Sequence, residues 1–329
     1  MLNDDHIYGG FDLTFIDINI HPLDAKNTLI DRLPPLGSHH VNTKIEFIPG
    51  GNGFNLCRTL ASLGRKVTYV GATSIFFERL VSEHEIPLQI ESIKDAKVNF
   101  TSILNLYDGE VQFNSVKNNL SPSHLTPELV SIYRNSKLKP VSNIALNSSS
   151  IEWISSLILC LADPNHEYIF DTQADLDSKL HLIQNTSFEG MLFIDPSDIS
   201  NFGRLDDFIK ILKSVGTMKG EKYLSVNKNE MLTLRNHLNK TSQEIATILN
   251  IPIILHTSEI VKLYGKERYE LQTKKIKDKK TFVGAGDCFN GAFLHQMFNS
   301  NSIEDSLKFA IESASFLVKT GQYPSEQDY

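Results

Sequence analysis

The strongest constraint on this chain is an alternation of short, continuously apolar runs with longer segments of helical period. The runs are VTYVG (67–71), SNIAL (142–146), EYIFD (167–171), MLFID (191–195), KYLSV (222–226) and IPIIL (251–255). A strand apolar on both faces belongs in a parallel sheet with helices packed on either side. Between the runs lie amphipathic stretches such as RLDDFIKILKSV and TSQEIATILN, the latter opening on a threonine cap with Glu244 close behind. Repeated strand-then-helix order predicts an α/β fold with a doubly wound, mostly parallel sheet. Ligands on such sheets bind at the carboxyl ends of the strands, so loops just after strands should carry the chemistry. With no internal repeat, low-complexity tract or interdomain linker, residues 1–329 read as a single large domain.

Two segments break the rhythm. NTKIEFIP (42–49) and VNFTSILNLYDGEVQFNSV (98–116) alternate as antiparallel strands do, and the second carries a Tyr-Asp-Gly-Glu turn between its halves. They predict a small antiparallel β lid, drawn from about 11–48 and 97–117, beside the ligand site. An edge extension or a dimer surface fits the same pattern.

Charge and cysteine content exclude several classes of partner. A formal net charge of −7 leaves no global basic field to hold nucleic acid or anionic lipid. Apolar runs such as ISSLILCLA are far too short to span a bilayer, which predicts no membrane association. Cys57, Cys160 and Cys288 are scattered and odd in number, the pattern of a reducing compartment rather than a disulfide framework. The opening MLNDDHIYGG has neither the basic stretch nor the apolar core of a secretory leader, so a cytoplasmic location is expected.

Two glycine-rich stretches stand out. In GGNGFNLCRTLASLG (50–64), Gly50, Gly51 and Gly53 precede a helix whose Leu56, Leu60 and Leu63 share a face, and Gly64 ends it. Alone, this reads first as a tight strand-to-helix turn. It is not the G-x-G-x-x-G of a dinucleotide fold, and no G-x-x-x-x-G-K-[ST] occurs in the chain. In TFVGAGDCFNGAFLHQM (281–297), Gly284, Ala285 and Gly286 open a helix with Phe289, Phe293 and Met297 on its apolar face. Successive free amides at a helix start attract a phosphate or a developing oxyanion. Asp287 falls in the first turn, where an aspartate is ordinary by itself. An anion site and a carboxylate in one small volume are what phosphoryl transfer needs.

Together the two stretches resemble the signatures of the ribokinase-like (PfkB) family of carbohydrate and nucleoside kinases. GGNGFN is similar to the N-terminal signature and GAGDCFNGAFL to the C-terminal one, in the same order. SVNKNEM supplies the family's N-x-x-E as Asn227 and Glu230, FIDPSD places Asp195 at an Asp-Pro pair, and FAIESASFLVKTG is similar to the helix after the second signature. The resemblance implies an ATP-dependent phosphotransferase acting on a hydroxyl of a small sugar or sugar acid. It implies Asp287 as the base and the amides of Gly284, Ala285 and Gly286 as the anion hole. Gly50, Gly51 and Asn55 would line the acceptor pocket, with a first-strand aspartate beside them. Asp12 and Asp17 both suit that last role, and Asp12 is preferred. Asn227 and Glu230 would organise Mg²⁺ and the phosphates through water, without direct metal ligation. A homodimer through the lid is also in keeping with the family.

The chain departs from the family in places. Thr281 and Phe282 stand where an Asp-Thr pair is usual, which removes an acid ligand for a monovalent cation and counts against potassium activation. After IPIIL the family's T-x-G turn is replaced by HTSEIV, so no adenine contacts carry over. A nucleoside kinase, or a catalytically weakened paralogue that only binds sugar or nucleotide, are the alternatives.

Overall fold

The structure, a computed structural model, describes residues 6–24, 26–30, 42–106, 109–115, 118–142, 148–161, 175–200, 203–277, 279–300 and 302–329. The chain begins with β1 (His6–Asp12), β2 (Phe15–Pro22), β3 (Thr43–Gly50), α1 (Asn52–Ser62), β4 (Lys66–Gly71), α2 (Ile75–Glu83) and β5 (Gln89–Ser92). Next come β6 (Asn99–Leu106), β7 (Gly109–Ser115), α3 (Pro127–Asn135), β8 (Leu138–Ser142), α4 (Ser148–Leu159) and α5 (Leu176–Ile183). The middle holds β9 (Ser187–Asp195), α6 (Leu205–Thr217), β10 (Lys219–Val226), α7 (Lys228–Leu238) and α8 (Ser242–Leu249). It closes with β11 (Ile253–His256), β12 (Ile260–Tyr264), β13 (Tyr269–Gln272), α9 (Ala285–Ser300) and α10 (Ile303–Thr320).

Strands β11, β10, β9 and β8 run parallel in that order, and β12 and β13 extend the β11 edge as an antiparallel hairpin. β1, β4 and β5 form a second parallel set, and β1 lies beside β8. Successive strand residues enter two separate cores. Leu192, Ile194, Leu224 and Val226 pack on one face with α4, α6 and α8, while Met191, Phe193 and Tyr223 pack on the other with α1, α9 and α10. The continuous apolarity of MLFID and KYLSV is therefore what a doubly covered sheet demands.

Four of the six apolar runs become strands close to the expected limits, namely VTYVG, MLFID, KYLSV and IPIIL. SNIAL meets the described strand β8 (Leu138–Ser142) at Ser142, and its residues 143–146 fall outside the described ones, as does all of EYIFD. LKPVS hides its nature behind a lysine and a proline. Lys139 is 1% exposed, and its ammonium donates to the carbonyls of Ser136 and Glu189, the latter at 2.6 Å. Two main-chain acceptors let this charge enter a strand that is otherwise apolar.

The remaining strands form a separate four-stranded sheet in the order β3-β2-β6-β7. Its outer pairs are antiparallel as expected, whereas the central pair β2–β6 is parallel. Register places Ile18, Ile20, Ile45, Phe47, Phe100, Val111 and Phe113 on one face and Asp17, Asn19, Thr101, Asn105 and Glu110 on the other. Residues 11 and 12 belong to β1 and the central sheet, so this sheet starts at Phe15 rather than at residue 11. The register of β1 shifts between Gly10 and Asp12, where Phe11 adopts a left-handed φ of 54°. This bulge turns the chain out of the central sheet and aims the Asp12 side chain at the start of α1.

Candidate active site

The site forms where α1 and α9 cross. Both helices are packed so tightly that a β-carbon on Gly291 would meet Thr59 Cβ at 2.7 Å and the Leu56 carbonyl at 2.9 Å. That closeness lets Asn55 Nδ2 donate a 2.9 Å hydrogen bond to Asp287 Oδ2 across the helix pair. Asp287 is 8% exposed in the first turn of α9. Gly284 carries a φ of 74°, the left-handed turn that starts the helix, and its carbonyl accepts from the Cys288 amide at 2.8 Å. The Ala285 amide makes a long 3.3 Å bond to the Phe282 carbonyl, which leaves Gly286 and Asp287 as the first-turn amides directed out of the helix. Burial pushes the Asp287 carboxyl well above the usual range. The charge of Asp195 adds to the rise, the Asn55 bond opposes it, and Asp12 and Asp17 raise it further.

The first glycine cluster makes room for two carboxylates. A β-carbon on Gly53 would lie 2.5 Å from Asp12 Oδ2, and one on Gly50 would lie 2.1 Å from Asp17 Oδ2. Asp12 is 1% exposed and accepts the Gly53 amide at 2.7 Å, so it caps α1 in place of the N-cap Gly51, whose φ is 107°. Asp17 lies on the polar face of the four-stranded sheet. Its pKa is raised to about 7 by burial, against a hydrogen bond from Thr101, with the charge of Glu110 adding to the rise. One Glu110 carboxylate oxygen is buried without a hydrogen-bond partner among the described residues.

More acids gather at the carboxyl ends of the central strands. Asp195, the last residue of β9, accepts Asn290 Nδ2 at 2.7 Å and the Ser197 amide at 3.0 Å. Asn290 Oδ1 accepts Ser225 Oγ at 2.6 Å, which ties α9 to β10. Asn227 and Glu230 form a reciprocal capping box at the start of α7. The Asn227 amide donates to Glu230 Oε2 at 2.8 Å, the Glu230 amide returns to Asn227 Oδ1 at 3.0 Å, and the two side chains are also bonded. Burial holds both Asp195 and Glu230 above the usual carboxylate range, and the charge of Asp195 adds to the rise at Glu230. Among the described residues no group of three or more His, Cys, Asp or Glu side chains is arranged to ligate a metal. The mutual repulsion of Asp195, Glu230 and Asp287 still suits a hydrated divalent cation carried in with phosphates. Thr281, at the start of the loop, accepts the Val283 amide at 3.1 Å through its hydroxyl.

Four residues at the site escape a reading of the sequence. Asn290 had a detectable signal, an amide three residues after Asp287 in the otherwise apolar stretch from Cys288 to Leu294. His256 ends β11, stacks on Phe289 at 5.1 Å, and would touch a β-carbon on Gly286 at 3.3 Å. Burial lowers its pKa to about 4, so the imidazole is neutral. Tyr323, beyond α10, sets its hydroxyl 2.7 Å from where a Gly284 β-carbon would be, and the guanidinium of Arg58 lies 4.2 Å above its ring. Contacts made by a tail and by the wall of a distant helix leave no periodic trace.

The chain is similar to several known proteins. Residues 217–324 match the family described as pfkB family carbohydrate kinase. A 5-dehydro-2-deoxygluconokinase of Listeria monocytogenes serotype 4a is 28% identical over 285 residues, covering 82% of this chain and 80% of that protein. The fold is similar to a ribokinase of Thermotoga maritima, with TM-score 0.63 and 17% identity over 98% of this chain and 96% of that one. It is also similar to a fructokinase of Xylella fastidiosa solved with bound ATP, with TM-score 0.67 and 14% identity over 99% and 97%. Residues 217–324 are thus similar to the pfkB family carbohydrate kinases, and the fold along the whole length is similar to that of ribokinase and fructokinase.

Proposed function

We propose that this protein is a cytoplasmic kinase that moves the γ-phosphoryl group of ATP onto a hydroxyl of a small sugar or sugar acid. The observation that carries the reading is Asp287, a buried carboxylate of raised pKa held by Asn55 in the first turn of α9, beside outward-facing amides. The relatives named as 5-dehydro-2-deoxygluconokinase support a sugar-acid acceptor.

In this reading the acceptor hydroxyl gives its proton to Asp287 as its oxygen bonds to the γ-phosphorus, and the bond from that phosphorus to the β-phosphate bridge breaks to release ADP. A carboxyl raised above its ordinary pKa is a better proton acceptor than a solvated aspartate. The loop Gly284-Ala285-Gly286 and the helix start behind it stabilise the phosphoryl oxygens. Asp195, Asn227 and Glu230 would hold the hydration shell of Mg²⁺, which when bound would neutralise charge on the phosphates. Asp17, Asn19, Thr101 and Glu110 face the acceptor from the four-stranded sheet, which acts as the lid. Asp17 takes the sugar hydroxyl, and Asp12 serves as the cap of α1. Gly50 and Gly51 let the acceptor approach the backbone, and Asn55 keeps Oδ1 for it while Nδ2 holds the base. The donor base enters a groove of about 470 Å³ against α10, walled by Leu271, Ile276, Ile311 and Phe316 and flanked by Lys274 and Lys308.

The outer lid face exposes Ile45, Phe47, Phe100, Val111 and Phe113, with Phe113 60% exposed. A second copy of the chain covers this face in a homodimer. No helix among the described residues is long and apolar enough to cross a membrane. An ADP-release assay over sugars, sugar acids and nucleosides, with ATP and Mg²⁺, tests the reaction. ADP release dependent on a sugar or sugar acid is expected. Release with nucleosides alone, or binding of these compounds without turnover, would displace the reading.

A further inference from the structure

Three observations meet at Tyr323 and find no use in the mechanism above. The first is position. The Tyr323 hydroxyl reaches the loop at Gly284, a residue whose left-handed φ and missing side chain leave space for it. Burial raises its pKa most, Arg58 opposes the rise, and the charges of Asp287, Cys288 and Asp17 add to it, so the phenol is within electrostatic reach of the base and the acceptor carboxylate. The second is that its hydroxyl makes no hydrogen bond with the described residues. A phenol donor brought to an anion loop and left without a protein partner has its proton available for a ligand.

The third is Arg58. It sits one helical turn after Asn55, half-buried, with its guanidinium 4.2 Å above the Tyr323 ring. It forms no ion pair or hydrogen bond with the described residues, and burial lowers its pKa. A cation withdrawn from water without a carboxylate is costly unless an anion arrives to meet its field. A guanidinium over a phenol also makes the hydroxyl a stronger donor, because the ring's electron density is drawn toward the charge. The charged groups acting on the phenol are then Arg58, over its ring, and Asp287 and Asp17.

Resting on the phosphotransfer reading, we propose that Tyr323 donates a hydrogen bond to the phosphoryl group at the Gly284–Gly286 loop, and that Arg58 behind its ring is a fixed positive charge serving this loop in place of a monovalent cation. The phenol keeps its proton throughout, since only a hydrogen bond is made. Tyr323 is thus a catalytic residue contributed by the segment after α10, and Arg58 is a positioning residue that acts through it.

The test pairs turnover with binding of ADP and aluminium fluoride, a mimic of the phosphoryl group in transfer, in the presence of Mg²⁺. Tyr323→Phe should lower kcat about 10- to 100-fold with KM for the acceptor little changed, the signature of a bond made in the transition state. It should also lose most of the extra affinity that aluminium fluoride adds to ADP. Arg58→Met should lose about 10-fold in kcat while Arg58→Lys keeps more of it, because charge rather than packing is needed. Exchange of sodium for potassium at fixed ionic strength should alter wild-type kcat less than about twofold. The inference fails if Tyr323→Phe matches wild type in kcat and in aluminium fluoride binding. It fails also if Arg58→Met and Arg58→Lys are equally affected, or if potassium strongly stimulates the wild type. Absence of any turnover or of any affinity gain from aluminium fluoride in the wild type would remove the phosphotransfer reading itself.

Discussion

Gly291→Ala should damage catalysis far more than stability, because the glycine sets the distance between the two helices that carry the site. A β-carbon there would meet Thr59 Cβ at 2.7 Å and the Leu56 carbonyl at 2.9 Å. Carbon atoms rest at about 3.5–4.0 Å, so α1 and α9 must separate by about 1 Å. One turn away along both helices, Asn55 and Asp287 are joined by a 2.9 Å hydrogen bond. The same separation stretches it to about 3.9 Å, where it no longer exists. Overpacking costs about 1–3 kcal/mol, and alanine in a helix returns about 1 kcal/mol relative to glycine. The net loss of about 0–2 kcal/mol lowers Tm by at most about 3 °C in a domain of this size. Misplacing a base by about 1 Å costs on the order of 100-fold in kcat. Gly203→Ala is the control, since a β-carbon there meets nothing within 4 Å. Tm by calorimetry and kcat by ADP release decide the matter. A Gly291→Ala protein with wild-type kcat, or with a raised Tm, would refute the claim that this contact sets the site's geometry.

Two further outcomes follow from the same structure. Asp17 has a folded pKa of about 7, above the ordinary aspartate value, so the folded state binds the extra proton and stability falls as pH rises through that window. Asp17→Asn should therefore match wild type in Tm near pH 4 and exceed it above pH 7, and identical Tm–pH curves would contradict this. Phe113→Glu on the outer lid face should convert a dimer into a monomer in light scattering, while a wild type already monomeric at micromolar concentration would exclude the lid pairing.

The parts of the fold that sequence revealed are those where one residue type meets one demand. MLFID and KYLSV are apolar at every position because both faces of the central sheet are covered. GAGD is legible because a left-handed glycine, bare amides and a carboxylate must follow in that order. LKPVS was hidden because Lys139 satisfies its charge on the Ser136 and Glu189 carbonyls, a solution invisible in one dimension. The glycines of GGNGFN suggested an open backbone, yet Gly50 and Gly53 are also required by Asp17 and Asp12, which occupy the space their side chains would take. The N-x-x-E pair is, in its local geometry, a capping box, and only its neighbours Asp195 and Asp287 give it electrostatic meaning. Arg58, His256 and Tyr323 come together from a helix, a strand end and a tail, and no spacing rule links them.

In the proposed reaction Asp287 takes the acceptor's proton at the anion loop. Asp287→Asn keeps the shape and the hydrogen-bond partner but removes the base. Its kcat, measured by ADP release beside acceptor affinity from calorimetry, tests the claim most directly. Turnover should fall by about 100-fold or more while acceptor affinity stays near that of the wild type. Equal turnover in the two proteins would contradict it.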